Sequence, residues 1–383
     1  VVLATPALAK TTFLPNASIG RGYTSNIAYT DVGPEESDGA TLLRVDLPLV
    51  IEQPTKVWTL AYRPSYVKYD TFDELDYAEH LVNIGVESTV DRRTTFAYRA
   101  SYQKTQSQDV PLGGPETDES FLYYRTDRES IATSLTLGRE LSQSWRGIGT
   151  FGVQWIETDE ISDSDIGVPE AALGDRTSYG VDLGALRRMS RRTELGFGYG
   201  YTDYEIDPGE DSSIQDLRAR MTHQHSRVTS FECSLGGSYR SEAENYDLVA
   251  GFHVVRAFER GSFRVSAARA AANGDVIAGS YLRTSAEVRY DSELTQKWGW
   301  SARSRYAVRD PDDPVESRLR NLRHHLGLRF QGGGLGRRGT FGVGFRLGID
   351  AVNQWGGDAV GLDSSYVIYN AGIVGHWGRG EPR

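Results

Sequence analysis

The residues best equipped for chemistry in this chain are arginines, which recur at even spacing through its C-terminal half. Arg218 and Arg220 share one parity, as do Arg283 and Arg289, then Arg303, Arg305 and Arg309, then Arg323 and Arg329; Arg346 follows. In an extended segment even spacing puts side chains on one face, so each set points the same way. Guanidinium groups gathered in a confined aqueous space raise the local concentration of anions and hold carboxylate, sulfate or phosphate through paired hydrogen bonds. Asp182, Glu232 and Glu287 fall on the same face, so the competing reading is an arginine ladder that pairs with acids and fills a polar interior.

Other chemistries find little support. His223 and His225 share a strand face while His324 and His325 split across one, and a zinc site would need a further ligand that no spacing supplies. The single cysteine, Cys233, lies between Phe231 and Leu235 as an apolar filler; one thiol excludes disulfide frameworks and covalently attached c-type haem. No nucleophile elbow, phosphate loop or dinucleotide fingerprint occurs, because Gly196, Gly198 and Gly200 lie inside an alternating stretch and not at a strand-to-helix turn. Asp159, Glu160, Asp163 and Asp165 offer hard oxygens without a calcium-loop register, and read as a solvated loop. No catalytic residue, cofactor site or metal site is therefore assigned, and a conduit is expected in place of an enzyme.

The elements that must carry these residues are strands. No run of about 18 apolar residues exists, which excludes helical membrane spans. The net charge of -10 argues against nucleic acid as a partner. Alternation pervades the chain: Phe341, Val343, Phe345, Leu347 and Ile349 oppose Gly342, Gly344, Arg346, Gly348 and Asp350, and Leu195, Phe197, Tyr199 and Tyr201 oppose Glu194, Gly196, Gly198 and Gly200. The segments run to about 10 residues or more, the length that a tilted strand needs to cross a bilayer. Short connections are expected near 52–56, 91–93, 142–144, 190–192, 226–228, 259–261, 294–296 and 333–339. Long ones are expected near 30–39, 70–77, 107–121, 157–175, 206–212, 240–245, 271–279, 310–317 and 353–364. Together they predict an all-β, antiparallel transmembrane barrel of about eighteen strands, with both termini at one end.

Charge sorts with loop length. Asp70, Asp73, Glu74 and Asp76 sit in one long loop, whereas Arg92, Arg93, Arg191, Arg192, Arg227 and Arg260 sit in short turns. Ala7-Leu8-Ala9 before Lys10 has the small-x-small pattern of a signal-peptidase site, so residues 1–9 are read as a signal-peptide remnant and 10–383 as one barrel domain. Gly147, Gly149, Gly184 and Gly236 are expected to relieve curvature as the sheet closes.

The last segment, from Tyr366 to Trp377, resembles the aromatic-ended final strand of Gram-negative outer-membrane β-barrels, although Gly378 to Arg383 follow it. The opening Tyr23-Thr24-Ser25-Asn26-Ile27 and the tyrosines Tyr62, Tyr66 and Tyr69 resemble β-barrel porins that accompany exopolysaccharide export. In size the barrel is also similar to the sheath of porin-cytochrome conduits. These resemblances imply a bacterial outer-membrane location with lipid and lipopolysaccharide as surroundings. They also imply one of three roles: a channel for hydrophilic, anionic solutes or polysaccharide, a sheath around a multihaem cytochrome, or a rim hydrolase. A periplasmic export component or a multihaem cytochrome is the partner that the first two imply.

Overall fold

The computed structural model describes residues 9–24, 37–73, 76–106, 127–158, 175–207, 211–273, 280–311, 319–331, 341–355 and 364–377. Residues 1–8, most of the acidic long loops and the tail after Trp377 lie outside them. In chain order the strands are β1 (Lys10–Phe13), β2 (Asn16–Thr24), β3 (Asp38–Gln53), β4 (Lys56–Tyr69), β5 (Tyr77–Thr89), β6 (Thr94–Gln106), β7 (Asp127–Glu140), β8 (Trp145–Thr158), β9 (Asp175–Arg188) and β10 (Thr193–Asp207). The rest are β11 (Ser212–Gln224), β12 (Thr229–Arg240), β13 (Asn245–Phe258), β14 (Gly261–Asn273), β15 (Ser280–Glu293), β16 (Trp298–Pro311), β17 (Leu319–Gln331), β18 (Phe341–Trp355) and β19 (Ser364–Trp377). All belong to one antiparallel sheet, and β19 pairs with β2 to close it.

β1 does not add a further stave. It lies on β3 in the register that β2 already sets, with Lys10 opposite Glu52 and Asn16 opposite Asp46. Between them Pro15 has no N–H to donate, and the Leu14 N–H reaches the Pro48 carbonyl only at 3.4 Å. The ladder is interrupted while the strand continues, so the ring has eighteen strands.

The short connections repeat one device. An oxygen-bearing side chain at the first turn position accepts from the backbone N–H two residues on: Asp91 from Arg93 at 2.6 Å, Ser190 from Arg192 at 3.1 Å, Ser226 from Val228 at 3.3 Å and Thr295 from Lys297 at 3.2 Å. Such local bonds replace ladder bonds and fix the reversal. Two connections expected to be long, between β10 and β11 and between β12 and β13, are only four residues each. Glu244 in the second takes a left-handed φ of 49° to make it.

Register sorts the two faces. Residues directly opposite in an antiparallel pair share a face, and Leu42, Gly20, Gly372, Arg346 and Arg329 lie opposite one another in succession. The parity passes unbroken from strand to strand around the ring. On the other face the large apolar side chains stand exposed, among them Leu217 at 65%, Phe197 at 58% and Leu183 at 56%. A closed barrel with such an outer surface must sit in hydrocarbon, since water would not tolerate so continuous an apolar band.

Aromatic residues rim this band. At the short-turn end Trp298, Phe330 and Phe345 cluster, with ring centroids 4.8 to 5.3 Å apart, and Tyr290 meets Trp300 at 5.1 Å. Phe345 therefore belongs to an interfacial girdle, and the deeper outward positions of β18 are Leu347 and Ile349. At the other end tyrosines prevail: Tyr239 and Tyr246 lie 4.7 Å apart, and the Tyr66 hydroxyl donates to Asp76 at 3.2 Å.

One described connection turns into the barrel. Phe72 and Tyr77 pack on the inward side chains Ala40, Leu42, Val67 and Tyr69, a cluster buried within the lumen at the long-loop end. Asp38 holds it there. Its carboxylate, 4% exposed, accepts from the Thr71 N–H and hydroxyl, each at 3.1 Å, and from the Phe72 N–H at 3.3 Å. Other inward side chains at this end, including Ile156, Arg176, Ile214, Ser238, Arg240 and Val249, are buried too, so the lumen is narrow here.

Candidate functional site

The lumen wall of β14 to β18 is built from arginines that face each other across strands. Arg283 lies opposite Arg309, Arg289 opposite both Arg264 and Arg303, Arg305 opposite Arg323, and Arg329 opposite Arg346. Like charges at directly opposed sheet positions repel. Interleaved acids offset part of that repulsion.

The acids sit at the middle of the wall. Arg303 donates to Glu287 at 2.7 Å, and Arg289 grips both Asp291 oxygens at 2.8 and 3.2 Å. Asp350, 2% exposed, accepts from Arg323 at 3.1 Å and lies 3.1 Å from His325 Nδ1. Farther toward the long loops the Arg309 guanidinium, 6% exposed, lies over the Tyr281 ring at 4.5 Å. Arg264, Arg329 and Arg346 differ: they are exposed to the lumen, nearer the short turns, and among the described residues none has an acid partner.

All nine arginines that the sequence singles out, Arg218, Arg220, Arg283, Arg289, Arg303, Arg305, Arg323, Arg329 and Arg346, lie on the inward face of the register. They do not form one group. Arg218 pairs with Asp216 at 2.8 Å and Arg220 with Glu232 at 3.6 Å, in a separate stretch of wall on β11 and β12. There Gly236 is demanded by sterics: a Cβ would come within 2.0 Å of the Leu217 carbonyl oxygen and 2.9 Å of Arg218 Cγ. Arg264 is an addition. Its signal was the alternation Phe263-Arg264-Val265, which the alanine run after it obscures.

The wall facing this one has another character. On β3 to β6 two inward arginines pair with acids, Arg63 with Asp46 at 3.0 Å and Arg99 with Glu87 at 2.9 Å, and Glu79 accepts from the Ser65 hydroxyl at 2.6 Å. On β8 to β10 the inward positions include Gly152, Gly180, Gly184, Gly196, Gly198 and Gly200 alongside Arg146, Arg176, Asp182, Arg188 and Glu194. The β14 to β18 stretch is thus the richer in arginine, and the stretch facing it the richer in acids and glycines. Asp182, on β9, lies across from Gly200 and beside the Asp216–Arg218 pair.

The histidines fall at separate places. His223 faces outward at the short-turn rim, 2.9 Å from the Thr193 hydroxyl and 5.0 Å from the Phe231 ring, and His325 faces the lumen. Among the described residues no group of three metal-ligating side chains occurs. Cys233 lies opposite Met221 and Phe252 on the outward face. Asp159, Glu160, Asp163 and Asp165 lie outside the described residues.

No family model and no curated protein matches this sequence. Solved structures do. The chain is similar to Pseudomonas aeruginosa OccK2 (OpdF), solved in complex with glucuronate, with a TM-score of 0.52 at 11% identity. It is likewise similar to OpdQ of the same organism (0.50, 10%) and to Acinetobacter baumannii OccAB3 (0.51, 7%). Each match covers 96% of this chain and 98% of the other. At such identities the likeness is one of fold, and it runs the whole length of both chains. By that fold, and by its outward apolar band between aromatic girdles, this chain is a closed eighteen-stranded β-barrel of the bacterial outer membrane, similar in fold to porins.

Proposed function

We propose that the barrel is a channel for small hydrophilic anions, drawn along the arginine wall of β14 to β18. The observation that carries this reading is the trio Arg264, Arg329 and Arg346, which face the lumen without an acid partner among the described residues, while Arg63 and Arg99 on β4 and β6 each have one. Fixed positive charge in a narrow aqueous passage with low-dielectric walls attracts anions and orients planar oxyanions through the guanidinium fork. That a barrel of this fold was solved in complex with glucuronate is in keeping with a carboxylate cargo.

Passage of a polysaccharide and enclosure of a multihaem cytochrome both need a lumen free along its length. The buried cluster around Phe72 and Asp38 narrows it at the long-loop end, which favours small solutes over either. A rim hydrolase has no observation in its favour.

The test is single-channel recording of the purified protein in a salt gradient. Wild type is expected to conduct with a reversal potential on the anion side, and the variant Arg264→Gln/Arg329→Gln/Arg346→Gln to move toward cations, most at low ionic strength where screening is weak. A cation-preferring channel unmoved by the triple substitution would reject the arginine wall as its selectivity element. A protein that folds and never conducts would favour the filled sheath.

A further inference from the structure

The outward face carries a groove of about 530 Å³ across β7 to β11, in the half of the barrel nearer the short turns. Its floor is Gly147 and Gly149; register sets the first between Arg139 and Ala185 and the second between Leu137 and Leu183, and Phe197 and Leu217 complete the far bank. Backbone packing does not force these glycines. A Cβ at Gly147 would approach nothing closer than Leu141 at 3.6 Å, and one at Gly149 nothing closer than Leu183 at 3.5 Å, both ordinary contacts and unlike the 2.0 Å at Gly236. Curvature relief therefore fits Gly236 and not these two, where the sheet would accept a side chain and the sequence leaves a void against the hydrocarbon.

The turn-side edge of the groove is cationic. Arg139 lines it, is exposed, and has no ion pair with any described residue. Asp91, whose carboxyl the Arg93 N–H and Thr94 hydroxyl bonds hold below its usual range with a smaller contribution from the Arg139 charge, accepts those bonds at 2.6 and 2.9 Å and makes no direct ion pair with Arg139. Beside it Arg187 stands 5.5 Å from the Trp145 ring, and Trp145 sits at the strand end where indoles meet the headgroup layer. An apolar trough ending in guanidinium groups at an indole-marked interface has the chemistry of an acyl chain with an anionic phosphate at its head.

We propose that this groove binds one glycerophospholipid of the periplasmic leaflet, an acyl chain over Gly147 and Gly149 and the phosphate at Arg139 with Arg187 alongside. Short turns face the periplasm in barrels of this class, which selects a phospholipid over lipopolysaccharide.

Native mass spectrometry of the full chain in mild detergent, titrated with phosphatidylglycerol, tests this. Wild type should retain one lipid, and Gly147→Leu/Gly149→Leu should weaken retention about tenfold by filling the trough. Ala371→Leu, at an exposed outward position on β19 on the other side of the barrel, should leave it unchanged. Arg139→Gln, which leaves the trough intact, should abolish preference for phosphatidylglycerol over a zwitterionic lipid, and it serves independently if the double variant misfolds. Equal retention by wild type and the filled variant would overturn the proposal. So would an oligomer that the filled variant loses, since that would assign the groove to a second copy.

Discussion

Two stretches of the same lumen wall, β3 to β6 and β14 to β18, follow one parity rule and reach different electrostatics. On the first, arginines and acids alternate in matched pairs such as Arg63 with Asp46 and Arg99 with Glu87. On the second, arginine meets arginine at five directly opposed positions, and acids intervene at few. Alternation alone therefore makes an inside; the supply of counter-charge decides whether that inside is neutral or a field. The second stretch also buries its ion pairs more deeply, and Asp350 there meets both Arg323 and His325.

The sharpest contrast should come from Asp350. It is buried against Arg323 and His325, so Asp350→Ala leaves a cation without its partner and should cost about 3–5 kcal/mol of stability in detergent denaturation. A loss as small as that of an exposed pair would show that water, and not Asp350, solvates the wall. Next, Leu217→Arg would put a guanidinium at mid-strand on the lipid face and should cost about 2–4 kcal/mol, whereas Arg218→Gln on the adjacent inward position should be tolerated. Equal costs in a refolding assay would break the parity on which both walls depend.

A third variant addresses the narrow end. Asp38→Ala removes the acceptor of the Thr71 and Phe72 bonds and should cost about 1–3 kcal/mol. Single-channel conductance should rise as the Phe72 cluster loosens; unchanged conductance would locate the constriction elsewhere. The smallest effect belongs to the matched wall. Arg99→Gln breaks a pair whose side chains are 70% and 61% exposed, so stability should change by less than about 1 kcal/mol and ion preference not at all. A selectivity shift matching that of the arginine trio would erase the distinction between the two walls.

Much of this was legible in the sequence because a strand's period of two is the strongest pattern a chain can carry. Phe341 to Ile349 announces an apolar outer face, the turn residues Asp91, Ser190, Ser226 and Thr295 announce reversals, and the eight short with the nine long connections give eighteen staves. That Arg346 faces inward follows from its neighbours Phe345 and Leu347 alone.

Whether Arg346 is free does not follow from them. Parity fixes the face of a residue, while partnership depends on register between strands that are far apart in sequence or joined through loops of varied length. Arg323 finds Asp350 and Arg303 finds Glu287 only because β17 lies on β18 and β15 on β16 in one alignment; a shift of two residues would keep every face and exchange every partner. Depth is likewise a property of the closed barrel, which is why Phe345 reads as lipid-facing in sequence and proves to be girdle in structure. The chain's alternation determined which arginines share the inward face; the register of the closed sheet decided which of them meet an acid among the described residues.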